Sequence, residues 1–209
     1  MIRIALTKGR IEEGAVELLR AAGYDCTALV DKGRRLLFPV GDGDIEVVLA
    51  KAADVITYAE HGVCDAGVVG ADTLMEHGGG LYELMDLKFG KCRFCLAGIK
   101  GKNFYNGYSH KVIATKYPNV AKKYMHSRGI DVEVVKIEGS VELAPLLSLA
   151  DAIVDIVETG NTLLANGLEI YEEIAPVSAR FVVNPASLKL KKPEFDHLLD
   201  RLNSVIEKK

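Results

Sequence analysis

Residues 151–163, Asp-Ala-Ile-Val-Asp-Ile-Val-Glu-Thr-Gly-Asn-Thr-Leu, restrict this chain to folds in which buried strands feed directly into helices. The run Ala152 to Val157 is apolar except for Asp155, too short for a helix, and rich in β-branched residues, so it reads as a buried strand. Glu158-Thr-Gly-Asn-Thr162 is a turn, and Leu163-Leu164-Ala165 begins a helix. The plan recurs upstream. Cys64-Asp65-Ala-Gly-Val-Val-Gly-Ala-Asp72-Thr73-Leu74 again closes a helix, opens a strand with Asp-Ala, and starts a helix at Thr-Leu. Two similar α/β lobes, each offering a helix start at the carboxyl end of a strand and facing one cleft, are the expectation.

The rest of the chain keeps this alternation. Strands are expected at 2–6, 36–40, 45–50, 66–69, 94–98, 111–114, 132–137 and 181–184, with a hairpin at Gly41-Asp-Gly-Asp44. Helices are expected at 11–22, 53–61, 72–76, 120–128, 142–149, 163–166 and 194–207, several of them stopped by glycine. This grammar argues for mixed, mostly parallel sheets flanked by helices. The chain is expected to cross between lobes near 88–91 and 176–180, so that lobe I comprises 1–90 plus 178–209 and lobe II comprises 91–177.

The 158–162 turn can also carry chemistry. The first-turn N–H groups of a helix lack intrahelical partners, Gly160 lets backbone approach closely, and Thr159 and Thr162 add hydroxyl donors. Asp155 and Glu158 are unsuited to a bare phosphate. They suit a phosphorylated sugar, whose hydroxyls need acceptors, or a phosphate that brings Mg²⁺. The same Thr and Asn residues could instead be ligand-free helix caps.

With 209 residues and a net charge of −3, the chain has no global basic footprint for nucleic acid. Its basic residues near the start, Lys8, Arg10, Lys32, Arg34 and Arg35, fall at turns, which suits a small polyanion or merely solvated loops. Cys26, Cys64, Cys92 and Cys95 form no disulfide framework or metal-ligand set and read as reduced thiols. No apolar run approaches the roughly 18–20 residues of a membrane span, and the start lacks a signal peptide's apolar core. A cytoplasmic location without membrane contact is the expectation.

Taken in order, Ala5-Leu-Thr-Lys-Gly-Arg10, Asp54–Gly62, Asp65–Gly70, Asp86–Arg93, Ala114–Pro118, Gly139–Pro145, Asp151–Gly167 and Val183–Ser187 resemble the short form of the ATP phosphoribosyltransferase catalytic subunit along the whole chain. The resemblance implies a two-lobed fold like the type II periplasmic binding proteins and a reaction at the start of histidine biosynthesis. In that reaction N1 of ATP displaces pyrophosphate from C1 of phosphoribosyl pyrophosphate, with Mg²⁺. It also implies a regulatory subunit similar to histidyl-tRNA synthetase and a homodimer of catalytic chains. On this basis Asp155, Glu158, Thr159, Gly160, Asn161 and Thr162 are expected to bind phosphoribosyl pyrophosphate, with Asp155 and Glu158 reaching the metal through water. Lys8, Gly9, Arg10, Arg34, Lys51, Asp72 and Arg93 are expected to bind ATP, and Lys8, Arg34, Arg35 and Asp155 form the expected catalytic set. Lys51 stands where the family has arginine, and Ala71 and Leu164 stand where many relatives have basic residues. The rival reading is a two-lobed anion- or solute-binding protein without catalysis.

Overall fold

The computed structural model describes residues 1–107 and 110–207, so 108–109 of the Gly- and Asn-rich loop and 208–209 of the final segment lie outside it. The first segment holds β1 (Ile2–Thr7), α1 (Arg10–Ala21), a 3₁₀ turn (Thr27–Leu29), β2 (Leu37–Val40), β3 (Ile45–Ala50), α2 (Ala52–Glu60), β4 (Ala66–Gly70), α3 (Ala71–His77) and β5 (Tyr82–Asp86). The middle segment holds β6 (Cys92–Ile99), β7 (Lys111–Thr115), α4 (Pro118–Ser127), β8 (Val132–Lys136), α5 (Leu143–Leu146), β9 (Ala152–Val157), α6 (Asn161–Ala165) and β10 (Leu168–Val177). The chain closes with β11 (Ala179–Val183), α7 (Pro185–Leu190) and α8 (Lys192–Ile206). These form two compact units, Met1–Gly90 with Ser178–Lys209, and Lys91–Val177.

Unit 1 is a six-stranded sheet, β2-β3-β1-β4-β11-β5, buried on both faces because side chains alternate along each strand. Ile4, Leu6, Val68 and Phe181 point into one core with Leu18 and Leu19 of α1 and Phe195 and Leu198 of α8. Ala5, Val69 and Val182 point the other way, onto Val55 and Ile56 of α2. Close seating of α2 depends on Gly67, where a Cβ would lie 2.6 Å from Val55 Cγ1. Unit 2 is a five-stranded sheet, β10-β6-β9-β7-β8. Cys95, Ala97, Ala114 and Ile153 meet Val141, Ala144 and Leu163 in one core, and Phe94 packs edge-on against Tyr117 at 4.9 Å between ring centroids.

The two sheets share a plan. In each, three parallel strands (β3-β1-β4 and β8-β7-β9) are followed by two antiparallel ones (β11-β5 and β6-β10). The echoed aspartates hold equivalent places at the start of the third strand. Asp65 N–H donates to Arg3 O while its carboxylate accepts the Arg3 N–H, both at 2.8 Å. Asp151 N–H donates to Val112 O at 2.8 Å and its carboxylate accepts the Val112 N–H at 2.9 Å. Each aspartate thus closes the parallel ladder at its open end. Burial alone would push the Asp65 carboxyl up, but the Arg3 N–H and the Lys191 ammonium, 2.7 Å away, hold it below the ordinary carboxylate range.

The mixed α/β class stands, but the sheets are not mostly parallel. Four pairings are parallel (β1–β3, β1–β4, β7–β8, β7–β9) and five antiparallel (β2–β3, β4–β11, β5–β11, β6–β10, β6–β9) among the described residues. β6 and β11 follow β5 and β10 with no helix between, and each runs antiparallel to both of its sheet neighbours, while β2–β3 is the expected hairpin. The helix expected at 142–149 is shorter, Leu143–Leu146, and the strand expected at 181–184 runs Ala179–Val183.

Asp86 fastens both passages of chain at the boundary of unit 1. Its carboxylate accepts the Lys88 N–H at 2.9 Å and the Ser178 hydroxyl at 2.8 Å, and lies 3.0 Å from Lys88 Nζ and 3.5 Å from Arg180. Burial works against the charge, but these donors overcome it and hold the carboxyl down to about 2. A depressed folded-state value stabilises the protein above the ordinary 3.8, and the contribution is lost as pH falls through about 2. The shift corresponds to about 2 kcal/mol. Asp86→Asn is therefore expected to lower stability by that order at neutral pH, and the difference from the unsubstituted chain should vanish toward pH 2. Denaturant titrations across the acid range check this; a pH-independent difference contradicts it.

Candidate active site

In unit 1 the carboxyl ends of β3, β1 and β4 lie level, with Thr7 opposite Ala50 and Leu6 opposite Val68. Each strand runs almost directly into a helix. Lys51 alone separates β3 from α2, Lys8-Gly9 separates β1 from α1, and Gly70 of β4 abuts α3. Three helix starts therefore share one sheet edge, where open α/β sheets bind ligands. Lys8 N–H donates to Ala50 O at 3.0 Å, which sets the β1–α1 turn beside Lys51. Gly9 has φ 91° and ψ −141°, a conformation open essentially to glycine. The side chains of Lys8, Arg10 and Lys51 are exposed along this edge. Asp72 folds back over the end of β4, so that a Cβ at Gly70 would lie 2.0 Å from its Oδ1.

Arg34 and Arg35 lie on the loop before β2. Arg35 is held locally, with Nη2 donating to Asp31 O at 3.0 Å and the guanidinium 5.5 Å from the centroid of Phe38. Arg34 is exposed. Five of the expected residues, Lys8, Gly9, Arg10, Lys51 and Asp72, are thus gathered at one sheet edge, with Arg34 and Arg35 on a separate loop of the same unit.

In unit 2 the turn from β9 to α6 behaves as the sequence implies. Gly160 takes a left-handed conformation (φ 82°, ψ 0°) and is the N-cap of α6. It has no side chain to cap with, and no side-chain cap hydrogen bond forms. The Thr159 hydroxyl accepts the Asn161 N–H only at 3.4 Å. The N-cap itself thus offers no side chain, and Thr159 supplies one long contact to the first N–H of the helix. A cavity of about 240 Å³ opens here, lined by Asp155, Glu158, Thr159, Gly160 and Thr162 together with Glu142. With only five residues, α6 has little dipole of its own. An anion at this turn would have to be held mainly by donors in the loop.

Arg93 sits beside this turn in the same unit. Its register partner across the sheet is Val157, its Nη1 lies 3.4 Å from Glu158 O, and its Nε lies 2.8 Å from Glu173. Glu142 was not among the expected site residues. It stood in the quoted segment Gly139-Ser-Val-Glu142, and only the fold reveals that α5 begins against β9. A larger groove of about 580 Å³ beside α4, lined by Lys122, Lys123 and His126 among others, is bounded by side chains on the helix and the loop that follows it. It contains no helix start, and its lining has one carboxylate, Asp131, and no Ser or Thr hydroxyl.

His61 and His77 lie at the ends of α2 and α3, and His61 Nδ1 is 2.9 Å from Thr57 O, an end-capping contact. The four cysteines are free thiols, and burial pushes the Cys64 thiol up to about 11, which keeps it un-ionised and unreactive. Among the described residues no group of three or more His, Cys, Asp or Glu could hold a metal ion, and no helix is long and apolar enough to cross a membrane.

The chain is similar to known proteins along nearly all of its length. The family model described as HisG, ATP phosphoribosyltransferase, matches residues 51–204. An ATP phosphoribosyltransferase of Clostridium kluyveri is 59% identical over 96% of this chain and 92% of its own length. One from Clostridium acetobutylicum is 54% identical over 99% and 96%. Among solved structures, an ATP phosphoribosyl transferase (HisG:HisZ) complex from Thermotoga maritima superposes with a TM-score of 0.84 at 38% identity, covering 100% of this chain and 98% of that one. The periplasmic aliphatic sulphonate binding protein SsuA of Escherichia coli shares the fold alone, with a TM-score of 0.61 at 12% identity over 98% of this chain and 72% of its own. Likeness at the first level extends through both units and both strand-to-helix turns, and the chain belongs to the ATP phosphoribosyltransferase family.

Proposed function

We propose that residues 155–162 hold the phosphoribosyl group, and the helix-start edge of unit 1 holds ATP, in the pentosyl transfer to N1 of ATP that opens histidine biosynthesis. The observation that carries this division of labour is the glycine-capped start of α6, where hydroxyl and N–H donors adjoin three carboxylates in one cavity. The donors suit the 5′-phosphate and the carboxylates suit ribose hydroxyls.

The chemistry asks for positioning and charge rather than a strong nucleophile. N1 of the adenine attacks C1 of the ribose, the bond from C1 to the diphosphate oxygen breaks, and diphosphate leaves with the electron pair. Positive charge develops on the ribose as the bond loosens, and negative charge grows on the leaving group. Asp155, Glu158 and Glu142 face the ribose end of this charge separation. Lys8, Arg10, Arg34 and Lys51 meet the phosphates, each close opposite charge contributing about 4 kcal/mol near a protein surface. Lys51 gives a point charge rather than the two-pronged contact of an arginine. Arg93, beside the phosphate turn, serves phosphoribosyl pyrophosphate rather than ATP. Arg35 supports its loop.

Mg²⁺ fits this arrangement as a companion of the substrate. The ion keeps several waters and is commonly held by one or two carboxylates together with phosphate oxygens, and Asp155 and Glu158 stand where such water-mediated contacts would be made. When bound it neutralises diphosphate charge.

A synthetase-like regulatory subunit and a homodimer of catalytic chains complete the proposed assembly. The Thermotoga complex supports the first, and Leu143, Leu146, Leu147 and Leu149, all exposed, offer apolar surface for assembly. The test is turnover. Purified chain, with and without the regulatory subunit, is given ATP, phosphoribosyl pyrophosphate and Mg²⁺, plus pyrophosphatase to draw the reaction forward. Formation of N1-phosphoribosyl-ATP supports the proposal. Binding of either substrate without product would favour the solute-binding reading.

A further inference from the structure

Glu12 is a carboxylate that the reaction does not need, yet it is buried, 5% exposed, in the first turn of α1. Burying a carboxylate is costly unless it is paired, and its two oxygens have different tasks. Oε2 accepts the Gly9 N–H at 3.4 Å, reaching back over the strained turn that carries Lys8 and Arg10. Oε1 forms an ion pair with Nζ of Lys32, whose own side chain is 38% exposed. Lys32 lies two residues before Arg34, and Arg35 Nη2 closes the same loop onto Asp31 O. One buried side chain therefore joins two cationic segments that are twenty residues apart in sequence.

We infer that Glu12 is a positioning residue, which fixes the 31–35 loop to the β1–α1 turn and so sets where Arg34 stands relative to Lys8 and Arg10. Lys32 is spent on this tether, which removes it from the substrate-binding cations and leaves Arg34 as the loop's ligand. The inference rests on the reading that this edge of unit 1 binds ATP. Its structural half, the tether itself, stands independently of that reading.

Glu12→Gln keeps an acceptor for the Gly9 N–H and removes the charge facing Lys32; Lys32→Met removes the other partner from a half-exposed position. Both variants are measured in the complete enzyme, with the regulatory subunit. Glu12→Gln is expected to raise KM for ATP about tenfold, short of the ~10²-fold that a 1 Å misplacement can cost. KM for phosphoribosyl pyrophosphate, bound by unit 2, should stay within about twofold, since distant sites act independently. The double variant should be no worse than Glu12→Gln alone, because both substitutions break one link. Trypsin should cut after Arg34 and Arg35 about fivefold faster in either variant, since local opening governs cleavage.

Unchanged cleavage rates would overturn the tether. Faster cleavage with equal losses on both substrates, or with an unchanged KM for ATP, would overturn the positioning role. If the unsubstituted enzyme made no phosphoribosyl-ATP while the cleavage rates shifted as expected, the reading of the site would fail, the ATP-positioning role would fall with it, and the tether would stand.

Discussion

Replacing both Thr159 and Thr162 with valine is expected to lower kcat/KM for phosphoribosyl pyrophosphate by about 10²–10⁴-fold. Valine keeps the shape of threonine and removes only the hydroxyl. A hydrogen bond to a charged group contributes about 1.5–3 kcal/mol, and each ~1.4 kcal/mol is a factor of ten, so two lost donors give this range. The loss should not be total, since the turn's N–H groups and Arg93 remain. KM for ATP should be unaffected, and thermal stability nearly so, because both side chains are exposed and Thr159 makes only a long 3.4 Å hydrogen bond to the start of α6. Steady-state kinetics with each substrate varied in turn check the split. Equal effects on both substrates, or none, would remove the two hydroxyls from the phosphate site.

Gly9→Ala is expected to lower kcat/KM about 10²-fold with little change in the phosphoribosyl site. Space is not the obstacle, since a Cβ at position 9 meets nothing within 4 Å. Backbone conformation is. With φ 91° and ψ −141°, an alanine there pays about 1–3 kcal/mol of strain or forces the turn to another shape. A changed turn moves Lys8 and Arg10 on either side of it, and a 1 Å displacement of binding groups can cost ~10²-fold in rate. The substitution also bends the segment that Glu12 holds, so the ATP side should suffer first. Titration calorimetry of a non-reacting ATP analogue checks this, with weakened binding as the expected result. Binding equal to that of the unsubstituted chain contradicts the assigned role of the turn.

Much of the architecture was legible because strands such as Ile2–Thr7 and Ile45–Ala50 carry a plain period, and glycines 23, 62 and 129 follow the ends of helices. The repeated Asp-Ala start was legible as an echo, and the structure supplies its cause, a carboxylate that closes each parallel ladder. Strand direction was not legible, since it depends on how the chain returns at the unit boundaries. Leu168–Val177 escaped as a strand because register shifts at Ile170/Glu172 and Glu173/Ala175 break its alternation. Pro185–Leu190 escaped because Asn184 was read as the end of a strand. Its side chain instead accepts the Ala186 and Ser187 N–H groups at 2.9 and 3.1 Å and starts a helix.

At the site, the strand–turn–helix passage through 155–162 could be read locally, because the apolar run ends at Val157 and Gly160 marks the turn. The grouping of Lys8, Lys51 and Asp72 needed the strand register, which no local pattern encodes. Glu12 was invisible for a related reason. An acidic pair in the first turn of a helix normally faces water, and only the packing of Lys32 against it shows that one member is buried.

The most direct test of the central claim is a crystal structure of the chain with phosphoribosyl pyrophosphate and Mg²⁺. It should place the 5′-phosphate within about 2.7–3.1 Å of the Gly160–Thr162 N–H and hydroxyl donors, with the ribose hydroxyls turned toward Asp155 and Glu158. A 5′-phosphate bound among Lys8, Arg10 and Lys51, with the 155–162 turn free of ligand, would contradict it.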